Sequence, residues 1–283
     1  MTALRRAHGL LGTPGLIGAA ILTAVVGVAV YGFLLPEGAG HARVGTPYAP
    51  PGPGLPLGAD DLGRDLFEQL VVGAGTSLSL GFLVAVATTV IAAVVGGAAG
   101  IGPRWMSATI MRGIDIMLIL PELILFILAA AFLGQAFGIR VAILALILWP
   151  VPARVLRAAV LTAWSRGHLE VARAMGAPRW WLLVRHGSYL IGPLLIPVFV
   201  RTAMRAILYD ATLSFLGLGD PTTPSWGTTL YWVQSNGVFL SEAWLWWALP
   251  PGAAITLTVL GLALIGIAVE ERLNPALKEA NSS

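Results

Sequence analysis

Residues 201–220 place Arg201, Arg205, Tyr209, Asp210 and Asp220 in one largely apolar stretch. Two carboxylates that face each other can share a proton and do acid–base work. Asp210 and Asp220 are ten positions apart, however, which on one helix is about 15 Å, and Pro221 follows at once. That spacing does not make a dyad. Arg201 and Arg205 are four apart, hence on one helical face. At a bilayer centre each costs roughly 2.5–3.5 kcal/mol, so neither should face lipid. Two roles stay open for them. One is charge pairing, with Glu122 or Asp115 of this chain or with a partner chain. The other is a basic patch that, with Asp210 further along the helix, lines a pathway and receives a substrate carboxylate.

Other chemistries are excluded by composition. There are no cysteines, so thiol catalysis, disulfides and Cys-ligated metals are ruled out. His8, His41, His168 and His186 have no metal-binding spacing. The only lysine, Lys278, follows no glycine-rich loop, so the chain carries no phosphate-binding P-loop.

The elements that must position these residues are membrane helices. Of the 283 residues, 57% are hydrophobic and 11% charged, against about 25% charged in soluble domains; the mean hydropathy is +0.83. Six apolar segments are long enough to span, at 14–35, 71–101, 112–134, 140–163, 189–216 and 244–269. The first reads as a retained helix, since no small-residue cleavage site follows it. Pro150 and Pro152 should kink the fourth. Gly96 and Gly100 make a small-xxx-small pair suited to close helix packing. The net charge of +3 is explained by sorting across a membrane rather than by nucleic acid.

Orientation follows from that sorting. With the N-terminus cytoplasmic, Arg5, Arg6, Arg104, Arg112, Arg154, Arg157, Arg166, Arg173, Arg179, Arg185, Arg272 and Lys278 lie inside. Only Arg43, Arg64 and Arg140 fall outside, with Glu37, Asp60, Asp61, Asp65, Glu68, Asp220 and Glu242. The chain divides into a tail and first helix (1–35), an external Pro/Gly-rich loop (36–70), a five-helix core (71–270) and a second tail (271–283). The core includes an inner loop, 164–188, and an outer loop, 217–243. Trp226, Trp232, Trp244, Trp246 and Trp247 suit an interfacial belt, and Trp180 and Trp181 an anchor for the inner loop. Within that loop, Glu170, Val171, Ala172, Arg173, Gly176 and Ala177 form an amphipathic turn, followed by a second short helix with Arg179 and Arg185. A rigid helix-turn-helix of this kind can pass movement to a partner.

Glu170, Ala172 and Gly176 resemble the EAA loop of binding-protein-dependent importers, with Val171 in place of the first alanine. Leu57-Gly58-Ala59-Asp60-Asp61-Leu62-Gly63-Arg64-Asp65 resembles the LGTDxxGRD stretch of dipeptide, oligopeptide and nickel permeases. Met111-Arg112-Gly113-Ile114-Asp115 with Leu120-Pro121 is similar to their third helix. Leu213-Ser214-Phe215-Leu216-Gly217-Leu218-Gly219 and Pro224-Ser225-Trp226-Gly227 are similar to their LSFLGLG…PSWG signature. The likeness runs from about residue 57 to the C-terminus and fits the C-type permease of the pair. Tyr209-Asp210 with Gly217–Asp220 also matches the YD and GxGD signatures of intramembrane aspartyl proteases, but the latter is here the tail of LSFLGLG. Departures are Gly75, where the family often has Arg, and His186-Gly187-Ser188-Tyr189, where it has Ile-x-Leu-Pro.

The resemblance implies an all-α integral membrane subunit with a type I importer-like transmembrane domain and cytoplasmic coupling helices, in a bacterial inner membrane. It implies a second homologous permease, two cytoplasmic ATPase subunits or domains carrying ATP and Mg, and an external binding protein. The chain itself would bind no cofactor and catalyse no reaction. Residues 170–185 would couple a peptide pathway to the ATPase. The alternatives are a permease for nickel or another small solute, or an ATP-independent secondary transporter, which would need coupling-ion sites and usually inverted repeats.

Overall fold

In lipid the backbone must satisfy its own hydrogen bonds, so long apolar runs become helices and breaks fall where proline removes a donor. The computed structural model describes residues 2–36, 38–164, 175, 176, 178, 181, 185 and 188–273. Among these the elements are α1 (Thr2–Leu34), α2 (Leu66–Ile101), α3 (Arg104–Ile119), α4 (Glu122–Leu133), α5 (Phe137–Leu148), α6 (Pro150–Trp164), α7 (Ser188–Leu213), α8 (Trp226–Ser235), α9 (Trp244–Trp247) and α10 (Leu249–Leu273), with no strand.

Four helical stretches are long and apolar enough to span alone: Gly12–Leu34, Leu66–Ile101, Ile191–Leu218 and Trp244–Leu273. Two bent pairs bring the number to six when each is taken as one span. The expected kink at Pro150 is present, with α5 and α6 meeting at 46°. The third segment differs from expectation. Instead of one helix over 112–134, α3 and α4 meet at 85°, because Leu120 before Pro121 is extended (φ −82°, ψ 133°). The second segment starts at Leu66 rather than 71, since Asp65 caps it by accepting from Phe67 N at 2.7 Å.

The long helix α2 is central, packing against α1, α5, α6 and α7. Small residues set its approaches: a Cβ on Gly96 would lie 2.5 Å from Ala153 O of α6, the expected close packing. Gly75 makes room for the Phe33 ring of α1, 3.1 Å from its virtual Cβ. One apolar core joins Leu80 and Val84 to Phe126, Leu144, Ala206 and Leu213; a second joins Ala92 to Ile114, Leu156 and Val198. The tryptophan belt needs correction. Trp226 and Trp247 are each 1% exposed and are core residues; of the five, Trp244 is the exposed one.

At the crossing of α1 and α10, a Cβ on Gly18 would lie 2.7 Å from the carbonyl of Gly261, whereas one on Gly27 meets nothing within 4 Å. Gly18→Val should therefore destabilise the subunit by about 1–3 kcal/mol through overpacking, while Gly27→Val should be neutral. Thermal unfolding in nanodiscs checks this; equal melting of both variants would show that α1 is not seated on α10.

Candidate functional site

α7 carries its ionisable side chains on two faces. On one, Arg201 forms a two-pronged pair with Glu270 of α10, Nε to Oε1 and Nη2 to Oε2, both at 2.8 Å. Arg205 pairs with Glu122, which also accepts from Tyr209 Oη at 2.8 Å. Glu122 is the first residue of α4, so the bend at Pro121 creates a helix N-terminus that favours its negative charge. Of the two pairing partners left open by the sequence, Glu122 is the one found. Asp115 instead pairs with Arg154 of α6, and Glu270 was not foreseen.

Arg201 and Arg205 line one cavity of about 480 Å³ with Glu270, Thr202 and apolar groups from α6 and α7. The Arg201 side chain is 69% exposed. Charges this accessible in a spanning region fit a wet passage or a partner subunit, not acyl chains.

Asp210 is buried and does not line that cavity. It faces α5, where Arg140 Nη1 donates to Asp210 Oδ1 at 2.5 Å and to Ser214 Oγ at 3.3 Å. Arg140, assigned to the outer side at the start of the fourth span, is 1% exposed. α7 then gives way to a π-helical turn, Ser214–Leu218, ended by Gly217 at φ +80°, a conformation that disfavours any side chain. Gln135 Nε2 donates to Gly217 O at 3.2 Å. Beyond the turn the Asp220 carboxylate is held below the usual carboxylate range, first by the Thr222 hydroxyl, with the charge of Arg140 also contributing.

The chain returns through α8. Ser225 caps it reciprocally with Thr228, and Trp226 reaches into α2, with its backbone N–H on Ser77 Oγ at 3.2 Å and Nε1 on Leu70 O at 3.1 Å. A Cβ on Gly227 would sit 2.7 Å from Ser214 Cβ, so the LSFLGLG and PSWG segments are packed together.

Segment 57–65 is the third part of this loop-bearing end. The buried Asp60 accepts from Leu62 N and Arg64 N, each at 2.8 Å, and from Gln69 Nε2 at 2.8 Å. His41 Nε2 meets Thr222 O at 2.9 Å. Between the two segments lies a cavity of about 370 Å³ that includes Asp61, Arg64, Thr229 and Trp232. Burial, then the charge of Asp60, pushes the Asp61 carboxyl up.

Of the inner-loop candidates, Gly176 has φ +85° in a turn with Met175, the glycine-dependent turn expected there. The Arg185 guanidinium lies 5.9 Å from the Trp181 ring centroid. Glu170, Val171, Ala172, Arg173, Ala177 and Arg179 lie outside the described residues. Arg140 was the residue missed. The signal was present, since Asp210 needs a counter-ion and Arg140, of the three basic residues assigned to that side, alone adjoins an apolar run.

Residues 92–279 match the family described as binding-protein-dependent transport system inner membrane component. A Brucella ovis protein described as a peptide permease is 35% identical over 220 residues, covering 77% of this chain and 72% of that one. The di/tripeptide transport system permease protein of Pseudomonas aeruginosa is 36% identical over 228 residues, covering 79% and 73%.

Removing one member of a buried pair strands the other. Asp210→Asn is expected to cost about 3–5 kcal/mol, seen as a lower melting temperature of the membrane-extracted subunit. A wild-type melting curve would mean that Arg140 is hydrated rather than paired.

Proposed function

Because the chain belongs to the family of inner membrane components of binding-protein-dependent transport systems, we propose that it forms half of a translocation pathway for di- and oligopeptides. Carrying this reading is the likeness to the di/tripeptide permease, which extends over most of both chains. The cavity at Arg201 and Arg205 supports it physically. Guanidinium groups recognise carboxylates by paired donors; Glu270 already occupies Arg201 in that manner, and Glu122 takes one donor of Arg205. A peptide carboxylate passing this face would exchange with those two side chains.

The other half of the pathway is a second, homologous permease. Two cytoplasmic ATPase subunits or domains supply the energy, with ATP and Mg bound there, and an external binding protein delivers substrate. This chain holds no cofactor and performs no catalysis. Both termini are cytoplasmic, so the loop-bearing end faces outward. The inner loop, 164–188, docks on an ATPase through Glu170, Ala172, Arg173 and Gly176, with Arg179 and Arg185 on the second helix. The left-handed turn at Gly176 supports that geometry, since a side chain there would strain the turn.

A tagged chain purified in mild detergent from its native membrane should bring a second permease and an ATPase, identified by mass spectrometry. Gly176→Arg should lose the ATPase and keep the permease. Recovery of the chain alone in both cases would overturn the importer assembly. For the pathway, Arg201→Ala combined with Arg205→Ala should reduce uptake of free-carboxylate peptides at least tenfold and that of C-terminally amidated peptides less; unchanged uptake of every peptide removes the substrate role of these arginines.

A further inference from the structure

The pair of Arg140 and Asp210 differs from the other intramembrane pairs, because both side chains are almost wholly withdrawn from the surface, at 1% and 4% exposure. It stands apart from the arginine cavity, and neither the family likeness nor the passage of a peptide explains it. Its position does suggest a use. Arg140 is in the first turn of α5, and Asp210 in the last turn of α7. Ser214, the third contact, begins the π-helical turn.

The turn is also packed against α8, where Gly227 approaches Ser214 and Ala211. Its backbone passes through a left-handed glycine at 217, and Gln135 holds only the carbonyl there. Downstream, Asp220 organises the next turn by accepting from Thr222 N, Thr222 Oγ1 and Thr223 Oγ1 at 2.6–2.9 Å. Arg140 thus ties α5 to the end of α7 and to the start of the turn, through Asp210 and Ser214. Its Nε is buried and has no partner among the described residues, leaving a donor free for another acceptor.

Resting on the transport reading, we propose that Arg140 is a positioning residue of the transport step, holding the end of α7 and the turn 214–218 against α5 through Asp210 and Ser214. What it positions is the packed unit of the turn and α8, which bears on α2 through Trp226. Loss of the guanidinium would release α5 from the end of α7 and that unit, so α5 would no longer follow their movement.

The test uses the whole transporter, both permeases and ATPases, in nanodiscs and vesicles with the binding protein. Arg140→Met with Asp210→Leu replaces the buried pair by apolar groups of similar shape, an exchange often neutral for stability. Expected is a melting temperature like the wild type, ATP-driven uptake reduced at least tenfold, and faster amide exchange over 214–223. Arg140→Lys should recover part of both. Wild-type uptake and exchange in the double variant would overturn the proposal. If that variant fails to assemble, Ser214→Ala, which removes the other side-chain contact of Arg140, decides: a several-fold loss of uptake with normal melting supports it, and wild-type uptake overturns it. Failure of the wild-type complex to take up any peptide would instead sink the peptide reading, while amide exchange, which needs no substrate, still tests Arg140.

Discussion

A charge within hydrocarbon must find a counter-charge or a wet surface, and that constraint organises the bundle. Apolar contact between helices gains little in lipid, whose tails are as apolar as leucine. Among the described residues four ion pairs supply specificity instead, joining α3 to α6, α4 to α7, α7 to α10 and α5 to α7. Three of these links involve α7. Small residues then allow the close approach that dispersion needs, as at Gly18 and Gly96. Ion pairs tie those four contacts, while α2 meets its neighbours through apolar and small residues, and glycines set how near they come.

The pairs divide by exposure into two kinds. Those of Arg154, Arg201 and Arg205 open on to the surface of the subunit, while Arg140 is sealed within it. Helical geometry accounts for the split along α7. Arg201 and Arg205 are four residues apart and nearly eclipsed, whereas five residues from Arg205 to Asp210 turn the side chain by about 140°. One helix can therefore present arginines to a cavity and a carboxylate to its neighbour without the two sets competing.

Much of the architecture was legible in the residues. Apolar length located all six spans, Pro150 marked a real kink, and the Gly96–Gly100 spacing marked a tight crossing. The break at Leu120-Pro121 was less visible, because hydropathy stays high on both sides and only the backbone of one residue changes. The burial of Arg140 was hidden for a related reason. Charge sorting treats a basic residue beside an apolar run as a flank, yet here Asp210 draws it into the bundle. Trp226 and Trp247 failed as belt residues since composition cannot distinguish an indole at the interface from one filling a core. The arginine face was foreseen as a patch, but its partner Glu270 lies 69 residues on, a separation that no local pattern encodes.

Those features give α7 a mechanical role on the importer reading. Its 26 residues form a rod of about 39 Å, starting where the inner loop ends and finishing in the turn held by Arg140. Pro193 and Pro197 lie in its first half, where missing backbone bonds make bending easiest. Beyond them the helix carries Arg201, Arg205 and Asp210 with no further proline. A push from the inner loop can thus flex the start of the rod, while its remaining length moves as one piece. The arginine face and the loop-bearing end are then displaced together, and Glu122 and Glu270, on other helices, are the groups from which the arginines must part.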